Sequence, residues 1–163
     1  MTDFATHSIP NLFTVEQAAP AVFRGGQPGP VGWQWLCGEG VRTVIKLNTE
    51  SEGSDAGAES LGMTVHRFPV PWWRQTFWRP SQADLITAVG LVVNRTDPVF
   101  VHCTHGQDRT GLMIGCFRLA QGWSKADAET EMDAHGFHEV ALQGLEGRWN
   151  TEQPEDWVNA FSR

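Results

Sequence analysis

The stretch from His102 to Gly111, HCTHGQDRTG, gathers residue types that could do chemistry in one short loop. Cys103 and Arg109 lie six positions apart, with Gly106 between them. A loop of this length can close on itself, so that its backbone N–H groups and the N-terminus of a following helix form an anion cradle. The same field stabilises a thiolate, and cysteines in such places have pKa values of roughly 3.5–7.5.

These residue types predict nucleophilic attack on phosphorus. A Cys103 thiolate is a competent nucleophile near neutral pH, and the planar fork of Arg109 matches two phosphate oxygens. The hydroxyl of Thr110 can donate to the sulfur and ease its departure in a second step. The other loop residues are expected to contact the phosphate or to order the loop around it: His102, Thr104, His105, Gly106, Gln107 and Thr110.

A metal site in the same loop is the competing interpretation. The potential ligands are His102, Cys103, His105 and Asp108. A structural zinc site needs four well-spaced donors, and no CxxC or HxxxH pair occurs elsewhere in the chain. We therefore expect no metal and no cofactor.

The acid that protonates the leaving oxygen is harder to assign. No carboxylate occurs between Glu59 and Asp84. Asp108, directly before Arg109, is the catalytic candidate, although a loop-stabilising role explains it equally well. The spacing of Asp84 from Ser81 favours a helix-capping box instead. Three acidic residues after a predicted strand are interpreted as solvated loop charges: Glu50, Glu52 and Asp55.

An aromatic segment, PVPWWRQTFWRP, spans Pro69 to Pro80. Its rings could line one side of a phosphate pocket, with Arg74 or Arg79 adding local positive charge. Covering the core is the alternative role for most of these rings: Trp72, Trp73, Phe77 and Trp78.

Alternating strand and helix patterns around the loop predict an α/β fold with a mostly parallel sheet of four or five strands, flanked by helices. The predicted strands lie in VFRGG, VRTVIKLN, MTVHRFPV and PVFVHC. Helices are predicted in VGWQWLCGEG, in the segment ending at Leu61, and in DLITAVGLVVN, RTGLMIGCFRLAQG and KADAETEMDAHG, with two more in the tail. Ser124 and Asp127 predict a capping box for the helix that follows them.

Length and composition set the remaining expectations. The 163 residues suit a single domain over 1–163, with an N-terminal extended arm of about 20 residues. A net charge of −7 argues against nucleic-acid binding, and no apolar stretch is long enough to span a membrane. Three scattered cysteines and the lack of a visible signal peptide favour a cytoplasmic setting, with an exported, processed form as the alternative.

The loop resembles the signature of the protein tyrosine phosphatase superfamily: His-Cys, five residues, Arg, then Ser or Thr. The matching residues are His102, Cys103, Arg109 and Thr110. Further similarity, from about Val22 to His138, is to the small bacterial and atypical dual-specificity branch. The resemblance implies a protein tyrosine phosphatase-like fold in a single phosphatase domain, and hydrolysis of phosphate monoesters through a phosphocysteine intermediate.

The same resemblance leaves the substrate open. A phosphotyrosine or mixed phosphoprotein substrate is preferred, with an inositol phosphate or phosphoinositide as the alternative. The family often places an acid about thirty residues before the cysteine, where this chain has none. Asp108 matches an aspartate in myotubularin and Sac-type phosphoinositide phosphatases, which has been considered their acid. The missing acid also motivates a third hypothesis, a catalytically weak phosphate-binding module.

Overall fold

The apolar segments of the chain form strands and helices close to those that their periodicity predicts. The computed structural model describes residues 7–70, 82–137, 149 and 153–161. The chain divides into two compact units. One contains Met1–Pro69 and Arg95–Gly106, and the other contains Val70–Asn94 and Gln107–Arg163.

The first unit contains a five-stranded sheet with the order β1-β2-β5-β3-β4. The strands are β1 (Phe13–Glu16), β2 (Val22–Gly25), β3 (Thr43–Lys46), β4 (Thr64–Arg67) and β5 (Val99–His102). Only β1 is antiparallel to its neighbour, and the other pairs are parallel. The predicted α/β class with a mostly parallel sheet is confirmed.

The register of the sheet positions the chemistry. His102 at the end of β5 lies opposite Gly25 of β2 on one side and Lys46 of β3 on the other. Because these strands are parallel, their carboxyl ends meet at one edge of the sheet, where ligands bind in open α/β sheets. Cys103 follows His102 directly and therefore lies at this edge.

Two helices of the first unit lie wholly within the described residues, α1 (Pro30–Gly38) and α2 (Ala56–Ser60). Proline at the first position of α1 starts the helix, since its missing N–H would have no partner there. Trp33 and Leu36 of α1 and Ala58 of α2 are buried in one hydrophobic cluster with residues of the strands and of the segments between elements. The other members of this cluster are Ile9, Phe23, Val41, Val44, Met63 and Phe100.

Helices make up the second unit among its described residues: α3 (Gln82–Val93), α4 (Asp108–Ala120), α5 (Lys125–Ala134) and α6 (Pro154–Phe161). Helix α4 is buried from Arg109 to Leu119 and contacts the other three helices. The predicted cap of α5 is confirmed, because the Ser124 side chain accepts a hydrogen bond of 3.1 Å from the Asp127 backbone N–H.

Strand β1 is the main element that the sequence did not predict. It falls within the expected N-terminal arm and pairs with β2 along the edge of the sheet. Three expectations lie outside the described residues: the aromatic segment after Val70, the Ser81 cap and the tail helix in ALQGLEGRW, of which only Trp149 is described. The single domain over 1–163 stays a prediction. No described helix is both long and apolar enough to cross a membrane.

Candidate functional site

The Cys103 side chain is nearly fully buried, with 2% of its surface exposed, and its Sγ accepts a hydrogen bond of 3.3 Å from the Gly106 N–H. Gly106 has a φ of +75°, a left-handed conformation that favours glycine. A Cβ atom there would also clash with the Gly25 backbone at the end of β2. Glycine at this position therefore lets the loop fold back towards the sulfur.

Three successive carbonyl groups of the loop accept hydrogen bonds from residues outside the loop. The Thr104 carbonyl accepts from the Gln27 N–H at 2.9 Å, and the His105 carbonyl from Asn11 Nδ2 at 2.9 Å. The Gly106 carbonyl accepts from Arg24 Nη2 at 3.1 Å.

Since C=O and N–H point in opposite directions across a trans peptide, the N–H groups of His105 and Gly106 face away from these donors. The Gly106 N–H accordingly reaches the Cys103 sulfur. N–H groups that share one side of the loop are what an anion cradle of the kind predicted from the sequence requires.

His102 is fully buried and bonded at both ring nitrogens. Its Nε2 lies 2.7 Å from Asp55 Oδ2, and its Nδ1 lies 3.2 Å from the Cys103 carbonyl oxygen. The ring stacks on Phe100 at a centroid distance of 5.3 Å and meets Trp33 edge-on at 5.7 Å. This burial fits the loop-ordering role of His102 better than direct contact with substrate.

Asp55 is buried, so the interpretation of this residue as a solvated loop charge is wrong. Its Oδ1 accepts from Gln27 Nε2 at 2.9 Å and from Lys46 Nζ at 3.2 Å, while Oδ2 faces His102. Burial raises the pKa of Asp55, but the hydrogen bond and charge of His102, with smaller contributions from Gln27 and Lys46, outweigh it. The net result is a pKa below the ordinary value.

The sequence did contain a signal for Asp55. Lys46 ends a β-branched run that predicts a buried strand, and a buried ammonium needs an acidic partner. An aspartate nine positions later, before a helix, was available for that role.

Glu52 also differs from a solvated charge. Its Oε1 accepts a 2.7 Å hydrogen bond from the Thr104 hydroxyl, and its Oε2 accepts from the Thr49 N–H at 2.9 Å. Asn48 Nδ2 donates to the same Thr104 hydroxyl at 3.3 Å. Glu50 does match the expectation, since it is 54% exposed and pairs with Arg67 on the surface.

The rest of the motif opens helix α4 in the second unit. Asp108 and Arg109 lie in its first turn, after Gln107 at the cap position. Arg109 is 6% exposed, and its Nη1 donates to the Val70 carbonyl at 2.7 Å, which fixes the plane of the guanidinium. The Thr110 hydroxyl is buried, and no hydrogen-bond partner for it occurs among the described residues.

Asp108 is half-buried, and its place at a helix N-terminus is favourable for a carboxylate. His105, in the first unit, is exposed. Within the described parts of the chain, no group of three or more His, Cys, Asp or Glu side chains is arranged to hold a metal ion.

Comparisons with known proteins agree on one family. A family model described as DSP-PTPase phosphatase fused to NAD+ kinase matches residues 5–147. The putative tyrosine-protein phosphatase OCA1 of Yarrowia lipolytica is 29% identical over 119 residues, covering 68% of this chain and 45% of that protein. The inositol diphosphatase DSP4 of Arabidopsis thaliana is 30% identical over 105 residues, covering 63% and 53%. The chain thus spans about half the length of these relatives.

The fold has a close match among solved structures. Crystalline TpbA from P. aeruginosa superimposes with a TM-score of 0.76 at 23% identity, covering 100% of this chain and 95% of that one. The protein tyrosine phosphatase-like fold is therefore confirmed. The family match includes the loop with His102, Cys103, Arg109 and Thr110. The chain belongs to the DSP-PTPase family of cysteine-dependent dual-specificity phosphatases.

Proposed function

We propose that this protein hydrolyses phosphate monoesters through a phosphocysteine intermediate. The observation that carries the proposal is the hydrogen bond of 3.3 Å from the Gly106 N–H to the Cys103 sulfur. It lies in a loop whose carbonyl groups are bonded outward, so the N–H groups are available to the sulfur and to a bound anion. Such an array stabilises negative charge on both.

The reaction has two steps. In the first, the Cys103 sulfur attacks phosphorus, the S–P bond forms, and the leaving oxygen departs with a proton from an acid. Arg109 and the loop N–H groups bind the phosphoryl oxygens in the transition state. In the second, water attacks phosphorus and gives its proton to the conjugate base of that acid. The S–P bond then breaks, with the Thr110 hydroxyl donating to the departing sulfur.

A phosphotyrosine or mixed phosphoprotein is the proposed substrate class. An aryl oxygen is a good leaving group and depends little on an acid, which suits a chain with no carboxylate between Glu59 and Asp84. The Glu52 carboxylate is bonded to Thr104 in the loop, and the whole chain carries a net charge of −7. Both disfavour a substrate with many phosphate groups. A variant of TpbA, which shares this fold, was solved in complex with pTyr.

An inositol phosphate is the second candidate. It is favoured by Asp108, which could supply the proton that an alkyl leaving group requires, and by the similarity to the inositol diphosphatase DSP4. Glu52 and the net charge are the observations that place this candidate second.

Phosphate release from a substrate panel tests the proposal. A phosphotyrosine peptide is expected to react at least about tenfold faster, by kcat/KM, than a phosphothreonine peptide or inositol hexakisphosphate. Faster phosphate release from inositol hexakisphosphate would instead support an inositol phosphate as the substrate class. Binding of the phosphopeptide without any release, from this panel or from a generic aryl phosphate, would identify a phosphate-binding module instead.

We propose Asp108 as the general acid, and its substitution by asparagine tests this role. Asp108→Asn is expected to slow an alkyl phosphate by roughly 10²–10⁴-fold, because the amide cannot donate the carboxyl proton. An aryl phosphate with a good leaving group should slow by less than about tenfold. Rates of both substrates are compared with those of Asp133→Asn, an exposed residue of α5. Equal slowing of both substrates by Asp108→Asn would remove this residue as the acid.

A cytoplasmic setting remains part of the proposal. The mechanism needs a reduced thiol, and reducing compartments keep thiols in that state. The three cysteines of the chain, Cys37, Cys103 and Cys116, are all free of disulfide bonds.

A further inference from the structure

The residues on either side of Cys103 are both bonded to one segment, the stretch from Lys46 to Asp55. His102 bonds to Asp55, and Thr104 bonds to Glu52 and Asn48. We propose that Asp55 is a positioning residue: its carboxylate keeps His102 as an imidazolium against the Cys103 backbone, and this charge holds the nucleophile as a thiolate. The inference deepens the proposed function and rests on it.

The charge on His102 follows from its two hydrogen-bond partners. A carboxylate oxygen of Asp55 faces one ring nitrogen, and the carbonyl oxygen of Cys103 faces the other. Both are acceptors, and a neutral imidazole has only one N–H to donate. Only the imidazolium satisfies both contacts at once. The lowered pKa of Asp55 indicates that the group facing His102 is a carboxylate near neutral pH.

Lys46 fixes the orientation of the carboxylate. Its side chain is 1% exposed, and its ammonium group contacts four acceptors. They are Gln27 Oε1 at 3.2 Å, Asn48 Oδ1 at 3.0 Å, the Gly53 carbonyl at 2.7 Å and Asp55 Oδ1 at 3.2 Å. With Asp55 Oδ1 held by Lys46, Oδ2 is directed at the ring of His102.

Charge balance connects this cluster to the nucleophile. Lys46 and His102 carry two positive charges, and Asp55 carries one negative charge. The three buried side chains together therefore have a net charge of +1. Buried charges need a partner, and a thiolate on the adjacent Cys103 supplies it. Two further charged groups of this unit reach the loop: Arg24 donates to the Gly106 carbonyl, and Glu52 accepts from Thr104.

The test is the pH dependence of Cys103 alkylation by iodoacetamide, followed by mass spectrometry of the Cys103 peptide. In Asp55→Asn, the amide no longer favours the imidazolium, so the midpoint of alkylation is expected to rise by about one pH unit or more. Turnover of an aryl phosphate at pH 6 should fall roughly tenfold in kcat, with KM changed by less than about twofold. Asp97→Asn, at an exposed position of the same unit, serves as the matched control and should leave the midpoint and kcat unchanged.

Two further variants separate this role from a structural one. Asp55→Asn leaves the buried Lys46 charge without its carboxylate, so the double variant Lys46→Met, Asp55→Asn, which removes both charges, is measured beside it. Because it also removes the positive charge of Lys46, its midpoint is expected to rise at least as far as that of Asp55→Asn. His102→Gln should also raise the midpoint, and adding Asp55→Asn to it should produce no further rise, because Asp55 acts through His102.

An unchanged midpoint in folded Asp55→Asn or in the double variant, or additive rises in the His102→Gln background, would overturn the inference. Alkylation does not depend on turnover, so the two proposals can fail separately. A wild-type protein that releases no phosphate but shows the shift would refute the proposed function alone. Normal turnover with no shift would refute the role of Asp55 alone.

Discussion

Phosphate release by Cys103→Ser is expected to fall by about 10⁴-fold or more, while binding of a phosphotyrosine peptide is retained. A serine hydroxyl is not ionised near neutral pH and is a weak nucleophile without an adjacent base. The substitution exchanges one atom and leaves the loop N–H groups in place, so the anion site persists. Release is measured with the peptide in excess, and binding by calorimetry with the same peptide.

Cys37→Ser provides the matched control for the nucleophile. Cys37 lies half-buried on α1, and its substitution should leave phosphate release within about twofold of wild type. A phosphocysteine on residue 103 should be detectable by mass spectrometry after rapid quenching of the wild type. Substantial release by Cys103→Ser would show that another group attacks phosphorus.

The second large effect is expected at Arg109. Arg109→Lys should lower kcat by about 10³-fold or more, a loss comparable to removal of a transition-state arginine in other phosphoryl-transfer enzymes. Lysine keeps the charge but lacks the planar fork that binds two phosphate oxygens. Lysine also has a single side-chain nitrogen, which cannot both bind phosphate in this way and keep the hydrogen bond that Arg109 Nη1 donates to the Val70 carbonyl. Steady-state kinetics with an aryl phosphate measure the effect.

The control for charge retention is Arg67→Lys. Arg67 is 38% exposed and pairs with Glu50 and Glu59 on the surface, so its exchange should change kcat by less than about twofold. If Arg109→Lys were no slower than Arg67→Lys, a point charge would suffice at position 109, and the bidentate role would be wrong.

The sequence predicted most of the elements because their signals are local. The strand patterns of β2, β3 and β5, and the capping pair Ser124 and Asp127, are short patterns that do not depend on distant residues. The edge strand β1 was missed because its pairing with β2 gives it its conformation, and that partner lies beyond a turn. Glu52 was misassigned for a similar reason, since its bond to Thr104 spans fifty-two positions.

The loop HCTHGQDRTG by itself predicted the superfamily and the roles of Cys103 and Arg109, because attack by a thiolate on phosphorus needs a nucleophile and an oxygen-binding arginine on one anion-binding loop. What only the tertiary structure decided is the environment of the nucleophile. Asp55 lies forty-seven positions from His102 in the chain, yet the parallel register of β3 and β5 brings Lys46 beside His102 and allows the carboxylate to bridge them. Burial in that register turned a carboxylate typical of a solvated loop into an ionised, hydrogen-bonded partner of the histidine before the nucleophile.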